Sequence, residues 1–519
     1  MHYFDLAIII VYLVAITAFG ARFRSGQKNL KDYFLGGRAA PWWAIGLSIV
    51  SAETSTLTIV GTPPLAFAAN GNLGFLQIVF GYLLARVVIS VVLLPQYFRG
   101  EMFTAYELMR RRFGERVRRL TASIFLVTRA LAEGVRVFAI SLVIFIVLKD
   151  FYVRFDLSPD TGEIVSIVLI VLLTLFYTFE GGMTAVIWTD VVQMTLYVAG
   201  AVASFVIILG KIPGGWAHVA AVAGAAHKFT IFDFRFAPNM EFFSRTYSFW
   251  AGVAGGCFLT TATHGTDQLM VQRLLSARDE RQSRTALMAS WVVILVQFTL
   301  FLLIGVLLYV YYADRHLAGP TLKDSLYPAF VWNSLPPGLA GLIVAAILAA
   351  AMANLSAALN SLASTTVVDF YRARARNVTD QAALKIARLA TVAWGGVLLG
   401  IAIQARYSKS VLETGLTIGS IPMGALLGVF LLGVLTRKPR EGAAIAGVAS
   451  GLGIVIAIHF YTPIAWTWYV LIGTVTTFAV GLLASLFQRV EALPLETAGV
   501  CEPIGGLPHL PSRHANLEE

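Results

Sequence analysis

Midway through a hydrophobic segment running from about residue 42 to residue 69, the chain places Glu53 among Ser51, Thr54, Ser55, Thr56 and Thr58, with Gly61, Pro63 and Pro64 just beyond. A carboxylate at bilayer depth is costly unless it faces protein or a water-filled cavity, so these residues mark a candidate functional site. Carboxylate and hydroxyl oxygens suit a cation or a polar solute, and a helix interrupted here also frees backbone carbonyls for the same task. The competing reading is a kinked structural helix whose hydroxyls bond back to their own backbone. Six polar residues in the eight positions 51–58 weigh against it.

Other groups of this kind recur along the chain. Arg86, in GYLLARVVIS, needs a partner or water; Glu53 is one candidate, and a purely structural pair is the alternative. Arg129, Glu133 and Arg136 share one helical stripe, so Glu133 can bridge both arginines, either as a scaffold or in gating and anion attraction. Asp190 enters its helix within about two turns of the membrane surface, where it either holds a cation or caps the helix start. A second polar interruption, FLTTATHGTDQLMVQR (258–273), contains Thr260, Thr261, Thr263, His264 and Asp267. His264 would titrate or bind solute there, or simply bond a neighbouring hydroxyl. Paired interruptions in corresponding positions of two halves point to a transport site.

The elements that position these residues are membrane helices. Of 519 residues 57% are hydrophobic and 13% charged, which excludes a soluble multidomain protein and implies a polytopic all-α membrane protein. Thirteen spans are expected, roughly 5–21, 42–69, 75–95, 120–148, 163–179, 185–210, 248–271, 286–312, 338–367, 388–404, 412–435, 442–460 and 465–488. Connections on one side carry 24 Lys and Arg, those on the other 10. The first set is therefore expected in the cytoplasm, with the N-terminus outside and the C-terminus inside a plasma (cell inner) membrane. The net charge of +10 is then topogenic, and nucleic acid is not an expected partner. Within 338–371, Gly341, Ala345, Ala349, Ala353, Ala357 and Ser361 recur every four residues. Such a face lets neighbours approach closely and places this helix at the bundle centre. Asn354 lies on the adjoining small-residue face, either as an interhelical hydrogen-bonding group or as an ion ligand.

From about residue 5 to about 488 the chain resembles the sodium/solute symporter family. GGMTAVIWTDVVQ (181–193), HGTDQLMVQRLLSARD (264–279), ALNSLASTTVVDFY (358–371) and GVFLLGVLTRK (428–438) carry the resemblance, in that order. It implies a LeuT-like five-plus-five inverted repeat of helices. The expected division is 1–41 (first transmembrane helix and inner loop), 42–210 (first repeat), 211–247 (outer loop), 248–435 (second repeat), 436–488 (two peripheral helices) and 489–519 (disordered cytoplasmic tail). The resemblance places the family's main sodium site at the carbonyls of Ser51 and Thr54 with Ala350, Ala353 and Asn354. It departs from the family at the last two, where hydroxyls are usual and this chain offers one amide. A second candidate cation or proton site would use Glu53, Asp190 and Ser356, although Ala357 replaces one of its hydroxyls.

The expected activity is secondary active transport: sodium-coupled symport of a small polar or anionic organic solute of monocarboxylate, vitamin or amino-acid type, held by Glu53, Thr56, Thr58, Thr260, Thr263 and His264. Na+ is the expected coupling ion, with H+ as the alternative, and no other cofactor or metal is called for. A membrane solute sensor or a channel is the more distant alternative. A channel would need a continuous polar stripe, whereas here polarity is confined to helix midsections. No P-loop, HExxH or nucleophile elbow indicates an enzyme.

Overall fold

The structure, a computed structural model, describes residues 3–22, 38–54, 56–99, 105–177, 183–237, 239–320, 323–371, 380–407 and 410–488. The basic loop 23–37, Gly181 and Gly182, the basic run 372–376 and the tail 489–519 lie outside these residues, as does Ser55. The described elements are helices, as they must be where lipid offers the backbone no hydrogen-bond partner.

In chain order these are α1 (Tyr3–Ala21), α2 (Trp42–Glu53), α3 (Thr56–Phe67), α4 (Leu76–Phe98), α5 (Ala105–Phe113), α6 (Glu115–Arg154), α7 (Pro159–Tyr177), α8 (Met183–Gly210) and α9 (Gly215–Ala225). After them come α10 (Phe249–Gly265), α11 (Gln268–Leu275), α12 (Glu280–Asp314), α13 (Leu326–Ser334), α14 (Leu339–Thr365), α15 (Asp380–Ala405), α16 (Val411–Leu435), α17 (Glu441–Tyr461) and α18 (Trp466–Leu486). Ten of these helices are long and apolar enough to cross a membrane, and the pair α2 and α3, bent by 64° to one another, is long and apolar enough only when the two are taken together. The other two of the thirteen expected segments are α7 and the short consecutive pair α10 and α11.

Two helices are interrupted, and they are the two expected from polarity. The first break falls at Thr54, whose backbone (φ −85°, ψ 84°) leaves the helix after one last bond from its amide to the Val50 carbonyl. Pro63 and Pro64 lie inside α3, past the break, where the carbonyl of Pro63 faces Gly305 of α12 so closely that a Cβ there would sit 2.1 Å from it. The second break falls between α10 and α11, where Asp267 caps the new helix by accepting from the Leu269 amide at 2.9 Å.

Small residues set the closest helix contacts. α4 and α10 meet at Gly81, where a Cβ would lie 2.4 Å from the Val253 carbonyl, and at Gly256, where it would lie 2.3 Å from that of Ile78. The ninth span, α14, is the most thoroughly enclosed of the ten, in keeping with its stripe of alanines. Its first amides are held by α1: the buried Asp5 accepts from the backbone of Gly338 (2.6 Å) and Gly341 (2.9 Å). The outer connection also reaches back into the bundle. Lys228 is buried there and donates to the carbonyls of Ala66 (3.1 Å), Ala68 and Ala69 (3.2 Å) at the end of α3, over the ring of Tyr309. An ammonium at a helix C-terminus satisfies carbonyls that have no partner within the helix. Phe229 of this connection packs on Trp216, and Phe232 stacks on Phe80.

Because a Cβ at Gly81 meets backbone that cannot swing aside, Gly81→Ala is expected to destabilise the protein by about 1–3 kcal/mol. Gly396→Ala, with nothing within 4 Å of the new carbon, should be neutral. Unfolding of the purified protein in detergent checks both.

Candidate functional site

Glu53 is the last residue of α2, so its side chain leaves the helix where the chain turns. One of its oxygens, Oε2, accepts from Arg86 Nη2 of α4 at 2.6 Å and lies 3.2 Å from His264 Nε2 in the last turn of α10. The guanidinium of Arg86, wholly buried, is oriented by three further groups: the carbonyls of Tyr82 (3.3 Å) and Leu287 (3.2 Å) and the Ser290 hydroxyl (3.1 Å). His264 uses its other ring nitrogen on Thr263 Oγ1 at 3.0 Å, so it both meets a neighbouring hydroxyl and reaches across to Glu53. A carboxylate from the first interrupted helix and an imidazole from the second thus touch each other. Thr56, Thr58 and Thr260 are buried beside the two breaks, and Thr263 is half-buried.

A second cluster lies toward the start of α2. Asp190 sits two turns into α8, too far along to cap that helix, which removes the capping alternative. It accepts from Ser48 Oγ (2.6 Å), Ser51 Oγ (3.2 Å) and Arg273 Nη2 (3.1 Å), while Arg273 Nε donates to Ser48 Oγ at 3.0 Å. Arg273 therefore supplies the positive charge beside this acid, and among the described residues Asp190 is not joined to Ser356, which is buried on α14. Arg273, counted in the sequence among the topogenic basic residues, is instead buried, and neither it nor Ser48 was given a site role there. The available signal was a lone arginine within the apolar run QLMVQRLL, and a serine one turn before Ser51.

Around the break itself, Asn354 Nδ2 of α14 donates to the Ser51 carbonyl at 3.4 Å, and Thr54 Oγ1 donates to Gln297 Oε1 of α12 at 3.0 Å. Ser51, Thr54 and Asn354 are thereby brought to one place, with Ala350 half-buried one turn earlier on α14. The side chain of Ala353 lies outside the described residues. A cation here would face oxygens only once the Asn354 amide turned Oδ1 toward it, since a hard cation takes oxygen ligands. Gln297, a lone amide in the apolar stretch WVVILVQFTLFLL, was also missed from sequence.

The ladder on α6 forms as its spacing implies. Glu133 Oε1 accepts from Arg129 Nη1 (3.0 Å) and Arg136 Nη1 (2.6 Å), and Arg129 also pairs with Asp267 at the second break. The ladder is therefore joined to the site.

The model of the sodium:solute symporter family matches residues 33–451. A sodium/sialic acid symporter of Aliivibrio fischeri is 27% identical over 490 residues, covering 93% of both chains. The human sodium-coupled monocarboxylate transporter 1 is 28% identical over 474 residues, covering 89% of this chain and 74% of that one. Among solved structures, a Na+-coupled sialic acid symporter in a substrate-bound outward-open state matches with a TM-score of 0.80 at 26% identity, covering 94% of this chain and 98% of that one. The fold is LeuT-like.

Removing one partner of a buried ion pair strands the other charge. Arg273→Leu is thus expected to cost about 3–5 kcal/mol of stability, and adding Asp190→Asn should return most of that loss. Thermal unfolding of the two single variants and the double variant measures the coupling.

Proposed function

Because this chain belongs to the sodium:solute symporter family and is a sodium-coupled solute symporter, we propose that its solute is a small polar or anionic organic molecule, received between the two helix breaks and moved inward by alternating access. The observation that carries this reading is the Glu53–His264 contact, which joins the two interrupted helices through ionisable side chains at bilayer depth. Glu53, Thr56, Thr58, Thr260, Thr263 and His264 line the proposed solute position. Relatives are named for sialic acid, for monocarboxylates and for iodide, and the first two of these solutes carry a carboxylate.

Sodium would sit at the first break, among the carbonyls of Ser51 and Thr54 and the residues Ala350, Ala353 and Asn354. The 3.4 Å approach of Asn354 to the Ser51 carbonyl supports this placement. A cation there holds α2 against α14 and so raises affinity for solute; a coupling of about 1–3 kcal/mol gives a 5–150-fold effect. Asp190 is the weaker candidate for a second cation, since Arg273 already compensates it. The repeats would be 42–210 and 248–435. The distribution of 24 against 10 basic residues supports an outer N-terminus and an inner C-terminus, in the cell inner membrane that we infer for it.

Proteoliposomes with an inward sodium gradient are expected to accumulate solute, and sodium-free vesicles with an imposed pH gradient are not. Accumulation at full rate in the second condition would exclude obligatory sodium coupling, and passive equilibration in both would indicate a channel.

A further inference from the structure

Resting on the reading of the two breaks as the solute site, we propose that Glu53 is an internal stand-in for the carboxylate of the solute, that Arg86 is the residue that recognises that carboxylate, and that solute and Glu53 exchange places on it. The transported class is then organic acids.

Three features point this way. Arg86 is a permanent cation with no exposure, and its guanidinium is aimed by Tyr82, Leu287 and Ser290 so that one edge, Nη2, presents to Glu53. A buried guanidinium held in this way always needs an anion, and a planar carboxylate is the group its geometry fits. Next, the anion now filling the place is the least enclosed member of the cluster: the Glu53 side chain is 11% exposed, against 0% for Arg86 and 3% for His264. Among the described residues only Oε2 of Glu53 is bonded, and it takes both Arg86 and His264. Those two donors converge on one oxygen position, which an incoming carboxylate oxygen can occupy equally well. Finally, Glu53 stands on the end of α2 beside a 64° bend, and an acid on a helix end can turn away without dragging a helix with it.

The exchange also balances charge. Displaced from Arg86, Glu53 is left adjacent in sequence to Thr54 and two residues from Ser51, whose carbonyls are the proposed sodium ligands. One cation and one organic anion then enter a cluster whose own charges are unchanged, and neither is favoured without the other. Solute binding frees the carboxylate that sodium needs, and sodium holds away the carboxylate with which the solute competes.

Matched acid and amide pairs test this: propionate and propionamide, lactate and lactamide, pyruvate and pyruvamide, nicotinate and nicotinamide. Each is assayed by thermal shift on the purified full chain at saturating sodium. At least one acid should bind about 30-fold or more tightly than its amide, the discrimination expected when a buried charge loses its partner. Glu53→Gln should bind that acid about tenfold or more tightly than the native chain and lose most of its sodium dependence. The double variant Glu53→Gln with Arg86→Gln keeps the cluster neutral, guards against a folding defect, and should bind acid and amide alike. Amides binding as well as acids, or a Glu53→Gln variant that gains no affinity, would overturn the exchange. Gradient-driven accumulation of neutral solutes by the native chain would sink this inference and leave symport standing, whereas no sodium-driven accumulation of any solute would sink both.

Discussion

A charge inside a hydrocarbon layer has to find its counter-charge within the protein, and that requirement organises this molecule. Hydrophobic burial gives helices little reason to prefer one another over lipid, which is as apolar as leucine. Close backbone approach and polar contacts choose the arrangement instead. Glu53 draws α2, α4 and α10 together; Asp190 draws α2, α8 and α11; Glu133 and Asp267 tie α6 to the corner between α10 and α11. The second broken helix is gripped on both sides of its interruption, at His264 and at Asp267 and Arg273, and the first is gripped by side chains before it and by the close packing of Pro63 on Gly305 after it, so unwound backbone persists at a depth where it would otherwise be unsatisfied.

The same contacts explain how a site can be polar and still hold its shape. Neither Arg86 nor Arg273 is free to wander, because each spends several N–H groups on fixed carbonyls and hydroxyls before meeting its acid. The acids differ. Asp190 is enclosed by two serines and an arginine, a structural knot, whereas among the described residues Glu53 is bonded through one oxygen alone, at the turn of the chain. That difference separates the member of the pair suited to exchange from the member suited to scaffold.

Much of this could be read in the amino acids. Long apolar runs fixed the helices, the Ser and Thr cluster around Glu53 located the first break, and Thr263 to Asp267 located the second. The alanine periodicity of 338–371 correctly set α14 at the centre, since small faces are needed only where backbones meet. Pairing across the bundle was less legible. Arg86 and Glu53 were matched because both were conspicuous, but Asp190 gave no hint of Arg273, 83 residues away, since no period links side chains on different helices. Gln297 went unread for a related reason: a neutral amide in an apolar helix has many innocuous explanations, and only its hydroxyl partner at Thr54 gives it meaning.

Asp5 carries a consequence for biogenesis. Its carboxylate serves the amides of Gly338 and Gly341, partners 333 and 336 residues farther along. During synthesis α1 is made long before them, so these bonds of α1 are among the last it forms. Contacts this distant in sequence form late and slowly. Ribosome-bound intermediates ending ahead of α14 would therefore hold Asp5 without the amides it serves, and the contact of α1 with α14 closes only once that helix has been made.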